Sequence, residues 1–347
     1  MLAAVEPALS GSDIRTVDDI AARMEFAPRH RWLLRQWLRA LAAHGSVEGD
    51  SDRGYRYAGP VREPARQDLV EVCADLGYSR PLATFLQASD DHLTELASDT
   101  MRLQELLFPN GDMTTAEAAY RDNLSSRYLN LAAGRAVADL VDGLRGDRSP
   151  VRILELGAGI GGTTDDVTAA LSGLPVEYHF TDVSTFFLEA AKSRFADYPW
   201  MRFGLVDMNA DLGNQPRYDI VIAANVLHNA YDIGVTLGQL HDLLNPGGAV
   251  VVIETCHAHC EQLTSVHFLM SPGSDQPHAG LTDVRAGTDR IFLTEDEWRE
   301  QLVASGFTPE LVLPEADHPV AMLDQRVFLG IRPLSRLDPP DAATGKE

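Results

Sequence analysis

The chain has 347 residues, 45% of them hydrophobic, with 29 basic against 51 acidic residues and a formal net charge of −22. Length and apolar content allow a sizeable core in one large or two unequal domains, and an acidic field repels nucleic acid and anionic lipid. Three cysteines imply no disulfide framework and point to a cytoplasmic setting. Met1–Gly11 lacks the basic and apolar regions of a signal peptide, and no apolar run reaches the roughly 18 residues of a membrane span.

Residues 1–60 read as a winged-helix-like N-terminal region. Thr16 caps a first helical pattern through Met24. Trp32, Leu33, Trp37, Leu38 and Leu41 form the apolar face of a second helix, closed by Gly45. Gly49–Gly54 reads as a turn and Tyr55–Tyr57 as the return strand of a wing. Arg29, His30, Arg31, Arg35 and Arg39 give local positive charge, but the acidic chain argues against nucleic acid as a partner. Trp32 and Trp37 are candidates for a homodimer surface.

Residues 61–147 read as a helical linker or lid, its last helix running from about Tyr120 to Gly143. From 148 to 335, strands and helices alternate. Val151–Leu156, Glu177–Thr181, Arg202–Val206, Asp219–Ala223 and Ala249–Ile253 are the strands. Thr163–Leu171, Thr185–Phe195 and Ile233–Leu244 are helices between them. This order predicts an α/β, Rossmann-like parallel sheet covered on both faces. An irregular insertion follows to about Gly287, then a helix near Thr294–Ser305 and a hairpin within Leu311–Leu329. Residues 336–347 read as a disordered tail.

The chemistry centres on Glu155-Leu-Gly-Ala-Gly-Ile-Gly-Gly162, between a strand and a helix. Glycines there allow a tight turn and close approach of a ligand to the main chain. Gly157, Gly159 and Gly162 fit a dinucleotide fingerprint. Glu155, Gly157, Gly159 and Gly161 fit the ExGxGxG pattern of class I methyltransferases. Context favours the second. Glu155 can hold a cofactor's amino-acid portion through waters or the loop. Asp182, after the second strand, can accept two ribose hydroxyls. Asp207 and Met208, after the third, can receive an adenine amine and face. Pro246-Gly-Gly248 before the fifth strand adds to the pattern.

Residues from about 105 to 310 resemble the carbon-methyltransferase domains of polyketide and mixed peptide–polyketide synthases. The resemblance rests on Glu105-Leu-Leu-Phe-Pro109, Ile153–Gly159 with Gly161-Gly-Thr-Thr164, and His179-Phe-Thr-Asp-Val-Ser184. It continues through Ile222-Ala-Ala-Asn-Val-Leu-His228, Leu243–Gly248, Glu254 and Phe292–Trp298. It implies a class I sheet, S-adenosyl-L-methionine as cofactor with Asn225 among its contacts, and a small-molecule acceptor. It also implies His228 and Glu254 as a catalytic pair. Both lie at the carboxyl ends of adjacent strands. A neutral imidazole can take a proton from carbon beside a carbonyl while a carboxylate orients it.

The chain departs from that family in having no carrier or ketosynthase domain attached, which implies a standalone enzyme. Asn229-Ala-Tyr-Asp232 follows His228 and borders the acceptor. The alternative reading is N-methylation of a cationic amino acid, such as the guanidino group of arginine, gripped by Glu254 and Asp232. Tyr120, Asn123, Tyr128 and Asn130 are further candidates for closing the site, with Asn229 and Asp232 beside it. Cys256-His-Ala-His-Cys260 places four ligand types on one short loop, where a tetrahedral site closes poorly, so no metal is expected.

Overall fold

The computed structural model describes residues 1–11, 13–59, 69–75, 77–272 and 280–334. The tail at 336–347 and the start of the expected linker, 61–68, lie outside the described residues. Two compact units emerge. One holds Met1–Asn130, Thr255–Thr294 and Met322–Gln325, and the other holds Leu131–Glu254, Glu295–Ala321 and Arg326–Glu347.

In the first unit, helix Val17–Arg23 starts with a capping box. The Thr16 hydroxyl accepts the Asp19 N–H at 3.1 Å and the Asp19 carboxylate accepts the Thr16 N–H at 3.2 Å. Helix Arg31–Ala43 buries Leu33, Leu34, Trp37 and Leu38. Gly45, at φ +73°, turns the chain into a hairpin of β1 (Val47–Asp50) and β2 (Gly54–Tyr57). Asp50 accepts the N–H groups of Asp52 and Arg53 and so shapes the turn. Arg15 bridges to Tyr55 on the other side of the return strand, completing the wing.

The basic cluster is matched by acids. Arg29 pairs with Asp99, Arg31 with Asp18, and Arg35 and Arg39 with Asp289. The two tryptophans are not a dimer surface. Trp37 is fully buried and donates to the Leu263 carbonyl at 2.8 Å, and Trp32 donates to Ser271 Oγ at 2.9 Å. Residues 255–294 were expected with the catalytic domain, but these bonds and the Arg35–Asp289 pair join them to the N-terminal unit.

The second unit is built on a seven-stranded sheet. Its strands are β3 (Val151–Leu156), β4 (Val176–Asp182), β5 (Met201–Leu205), β6 (Tyr218–Ala224), β7 (Leu244–Thr255), β8 (Thr308–Leu313) and β9 (Gln325–Ile331). Their order is β5-β4-β3-β6-β7-β9-β8, and β3 to β7 pair in parallel. Residues Val151, Ile153, Leu154, Ile220, Val221, Ile222 and Val250–Val252 are all buried. Continuous apolar runs of this kind are what a sheet covered on both faces requires.

β8 and β9 form the antiparallel end. Gly247 donates to the Arg332 carbonyl while Cys256 donates to that of Asp324, so β9 runs opposite to β7. The Pro246-Gly-Gly248 turn appears as a bulge. Leu244 sits opposite Tyr218 and Ala249 opposite Ile220, leaving four residues facing one.

The chain leaves β3 toward β4 and leaves β6 toward β7, in opposite directions along the sheet. A crevice therefore opens between the carboxyl ends of β3 and β6, the place where open α/β sheets bind ligands. The glycine loop and the His228 loop stand on either side of it.

Candidate active site

Three glycines of the loop have left-handed backbones: Gly157 (φ +62°), Gly159 (φ +55°) and Gly161 (φ +76°). At Gly157 a β-carbon would lie 2.3 Å from Val226 Cγ2, so no larger residue fits beside the neighbouring loop. At Gly159 an added β-carbon would meet nothing within 4 Å, so the space beside this residue is open.

Glu155 is buried. Its Oε2 accepts the hydroxyls of Thr164 and Tyr178, each at 2.7 Å. Burial pushes its pKa up to about 7 against the pull of those hydroxyls. The carboxyl ties β3 to β4 and to the first turn of helix Gly162–Ala170, so the geometry shows it bracing the loop.

At the end of β4, Asp182 Oδ2 accepts the Gly159 N–H at 2.9 Å and Oδ1 accepts the Ser184 N–H at 2.8 Å. Both oxygens are thereby fixed next to the loop. Past β5, Asp207 is exposed and accepts the Asn209 N–H at 2.9 Å, while Met208 is buried. Asn225, after β6, adopts φ +51° and donates its N–H to Ile253 at 2.7 Å. A non-glycine residue in that region costs about 1 kcal/mol or more, and here it turns the chain out of the sheet toward His228.

His228 and Glu254 come together. His228 lies on the short 3-10 helix Leu227–Asn229, and Glu254 near the end of β7. His228 Nδ1 is 2.8 Å from Glu254 Oε2. Glu254 Oε1 accepts the N–H groups of Val226 at 3.0 Å and His228 at 3.2 Å. His228 is 8% exposed and Glu254 is 0% exposed. A carboxylate at Nδ1 fixes the proton on that nitrogen and puts the lone pair of the neutral ring on Nε2. The arrangement can take a proton at Nε2 and stabilise the charge that results.

This burial corrects the reading of Glu254 as a grip for a guanidinium. Its oxygens are committed to the ring and to two amides. Asp232, the other half of that fork, is the N-cap of helix Ile233–Leu243 and accepts the Val235 N–H at 3.0 Å. Asn229 is exposed one residue beyond His228.

The other candidates belong to the first unit. Asn123 is buried and caps helix Leu124–Leu144, accepting the Ser126 N–H at 2.9 Å and donating to the Ala119 carbonyl at 2.7 Å. That cap splits the long helix expected from Tyr120. Tyr120 instead ends helix Thr114–Tyr120, and burial pushes its pKa up to about 12. Tyr128 is half-buried on the later helix. In the cysteine loop, Cys256 is half-buried and Cys260 exposed. Among the described residues no group of three or more His, Cys, Asp or Glu is placed to hold a metal.

Several contributors escaped sequence reasoning. Tyr178 and Thr164 carry no motif signal beyond the strand pattern and the Gly-Gly-Thr-Thr stretch. Arg194 ends helix Thr185–Arg194 and donates to the Ile160 carbonyl at 3.2 Å, holding the glycine loop from outside. Asn209, two residues past Asp207, accepts the Tyr231 N–H at 2.8 Å.

Known proteins resemble this chain in sequence and in fold. The family described as "Methyltransferase domain" matches residues 154–250. The chain is 32% identical over 302 residues to pyochelin synthetase PchF of Pseudomonas aeruginosa, covering 83% of this chain and 16% of that protein. It is 38% identical over 251 residues to polyketide synthase ThaG of Burkholderia thailandensis, covering 68% of this chain and 4% of that one. It thus spans under a fifth of the length of these relatives. Among solved structures, the CurJ carbon methyltransferase superposes with a TM-score of 0.81 at 24% identity, over 96% of this chain and 89% of that one. The DszA carbon methyltransferase gives 0.80 at 22%, over 95% and 86%. Residues 154–250 thus match a methyltransferase domain, and the chain has the fold of the carbon methyltransferases.

Proposed function

We propose that this enzyme transfers a methyl group from S-adenosyl-L-methionine to carbon of a small natural-product acceptor, with His228 as base and Glu254 as its orienting partner. The observation that carries the reading is the 2.8 Å contact of His228 Nδ1 with a fully buried carboxylate beside the crevice. The residues present fit the cofactor. Gly159 leaves open space at its α-carbon, and Asp182 holds two carboxylate oxygens next to it at the strand end. Asp207 and Met208 supply an acid and an apolar face one strand away. When bound, the cofactor supplies an electrophilic methyl whose departing sulfur keeps the bonding electron pair.

The chain's own residues do the rest. His228 Nε2 takes the proton from an acceptor carbon beside a carbonyl. The carbon's electron pair then forms the new bond to the methyl. Glu254 stabilises the imidazolium until Nε2 returns the proton to solvent. The loops around the crevice align the partners, which is the larger share of the acceleration.

The natural-product assignment is supported by relatives that are named synthases of such compounds. Nitrogen methylation is disfavoured by the commitment of Glu254 and Asp232 to internal bonds. We read the setting as cytoplasmic with no nucleic-acid or membrane partner, on the acidic net charge of −22; no described helix is long and apolar enough to cross a membrane. Any homodimer would use a surface other than the buried tryptophans. Reactions with isotope-labelled cofactor against keto acids, acyl thioesters and basic amino acids test the reading. Label on carbon beside a carbonyl is expected, and label on nitrogen alone overturns it.

A further inference from the structure

The loop that follows β5 and the loop that follows β6 are joined by one side chain. Asn209 Oδ1 accepts the Tyr231 N–H at 2.8 Å, and its Nδ2 donates to the Asn229 carbonyl at 3.4 Å. Its own N–H goes back to Asp207 Oδ1 at 2.9 Å. A second amide bond lies just beyond, where Gln239 accepts the Leu212 N–H at 2.8 Å. Residues 207–212 are thereby latched onto the segment that runs from His228 into helix Ile233–Leu243. Asn229 and Tyr231 are one and three residues from His228. The Asn229 and Ala230 N–H groups bond back to Val226 and Leu227, so the catalytic loop moves as one piece.

We infer that Asn209 is a positioning residue that couples occupancy of the adenine side of the site to the placement of His228. The inference rests on the proposed role of Asp207 and Met208 in holding the cofactor. A ligand pressing on Asp207 and Met208 stills the short turn they share with Asn209. The Asn209 amide passes that order to the backbone on both sides of Ala230. The bond is exposed, so its effect is modest but directional, and asparagine alone supplies acceptor and donor at this spacing. Aspartate keeps the acceptor for the Tyr231 N–H and loses the weaker donor.

The test is amide hydrogen exchange with and without S-adenosylhomocysteine, on the wild type, Asn209→Ala and Asn209→Asp, with calorimetry of the same binding. In the wild type, ligand is expected to slow exchange at Gly157–Gly162, at Asp182–Ser184, and at Val226, His228, Asn229 and Ala230. In Asn209→Ala the first two stretches should still be protected while the last group loses its response. The turnover number should fall about 5- to 10-fold, the scale of one coupling bond, with Asn209→Asp recovering most of it. A purely structural asparagine would instead raise exchange in all three stretches alike, with or without ligand. An unaltered response at Val226–Ala230 in Asn209→Ala overturns the coupling. Failure of the wild type to bind S-adenosylhomocysteine overturns the cofactor reading and this inference together. Binding without any wild-type response at Val226–Ala230 overturns the coupling alone.

Discussion

Glu254 holds both the ring and the backbone of His228: one oxygen meets Nδ1 at 2.8 Å while the other accepts the residue's own N–H at 3.2 Å. The carboxylate thus fixes where the imidazole sits as well as which nitrogen carries the proton. Removing the ring and removing the carboxylate should have separable consequences.

His228→Ala is expected to bind S-adenosylhomocysteine as the wild type does and to lose turnover by about 100-fold or more, the worth of a positioned base. Single-turnover assays beside calorimetry check this. Near-normal turnover would remove His228 from the chemistry.

Glu254→Gln keeps the shape but allows the amide to donate to Nδ1. That favours the tautomer with its proton on Nε2, the wrong nitrogen for a base. Turnover should fall on the order of 100-fold or more with little loss of folding stability. Glu254→Ala should also destabilise the domain, because the Val226 and His228 amides lose their acceptor at about 1–3 kcal/mol each. Denaturation of the two variants side by side separates the roles.

The Glu155 carboxyl, raised to about 7 from 4.5, makes stability depend on pH. The folded state holds a proton that the unfolded chain releases, so the contribution is full below about 4.5 and lost as pH rises through about 7. Glu155→Gln keeps an acceptor for Thr164 and Tyr178 and does not ionise. Its stability relative to wild type should climb across this window by about 3 kcal/mol in total. Urea denaturation at pH 5 and pH 8 measures the difference, and a constant offset would contradict the assignment.

His30 predicts the opposite slope in the other unit. Burial, with Arg29 beside it, drives its pKa down to about 4 while its Nδ1 meets Ser271 Oγ at 2.6 Å. Its contribution is present above about 6.5 and lost as pH falls through about 4. His30→Asn should flatten that loss, as followed by tryptophan fluorescence of Trp32 and Trp37.

Gly157→Ala should abolish cofactor binding or folding, since its β-carbon would stand 2.3 Å from Val226 Cγ2. Adding Val226→Ala removes the 2.3 Å overlap and leaves a tight 3.0 Å contact with the remaining β-carbon, besides the backbone penalty of about 1 kcal/mol. Partial recovery in the double variant is expected, and none would place the glycine's importance elsewhere.

The sheet was legible because parallel strands buried on both faces write long apolar runs, as in Val151–Leu156 and Val250–Ile253. The glycine loop, Asp182, Asp207, His228 and Glu254 were legible because they sit at fixed places on such strands. The rest depended on contacts distant in sequence. No local pattern tells that Leu263 and Ser271 receive the indoles of Trp37 and Trp32 and so draw 255–294 to the N-terminal unit. Asn123 reads equally as a ligand contact and as a cap, and only the Ser126 N–H decides. Asn209 and Tyr178 act through side-chain bonds to other strands and loops, which periodicity does not encode.

The most direct measurement is solvent deuterium exchange at the acceptor carbon. An acceptor that takes label in the methyl-transfer panel is incubated in D₂O with S-adenosylhomocysteine and either the wild type or His228→Ala. Deprotonation by His228 predicts deuterium at the carbon beside the carbonyl with the wild type and background exchange with the variant. Equal exchange by both, or methyl label on nitrogen without exchange at carbon, would contradict the account.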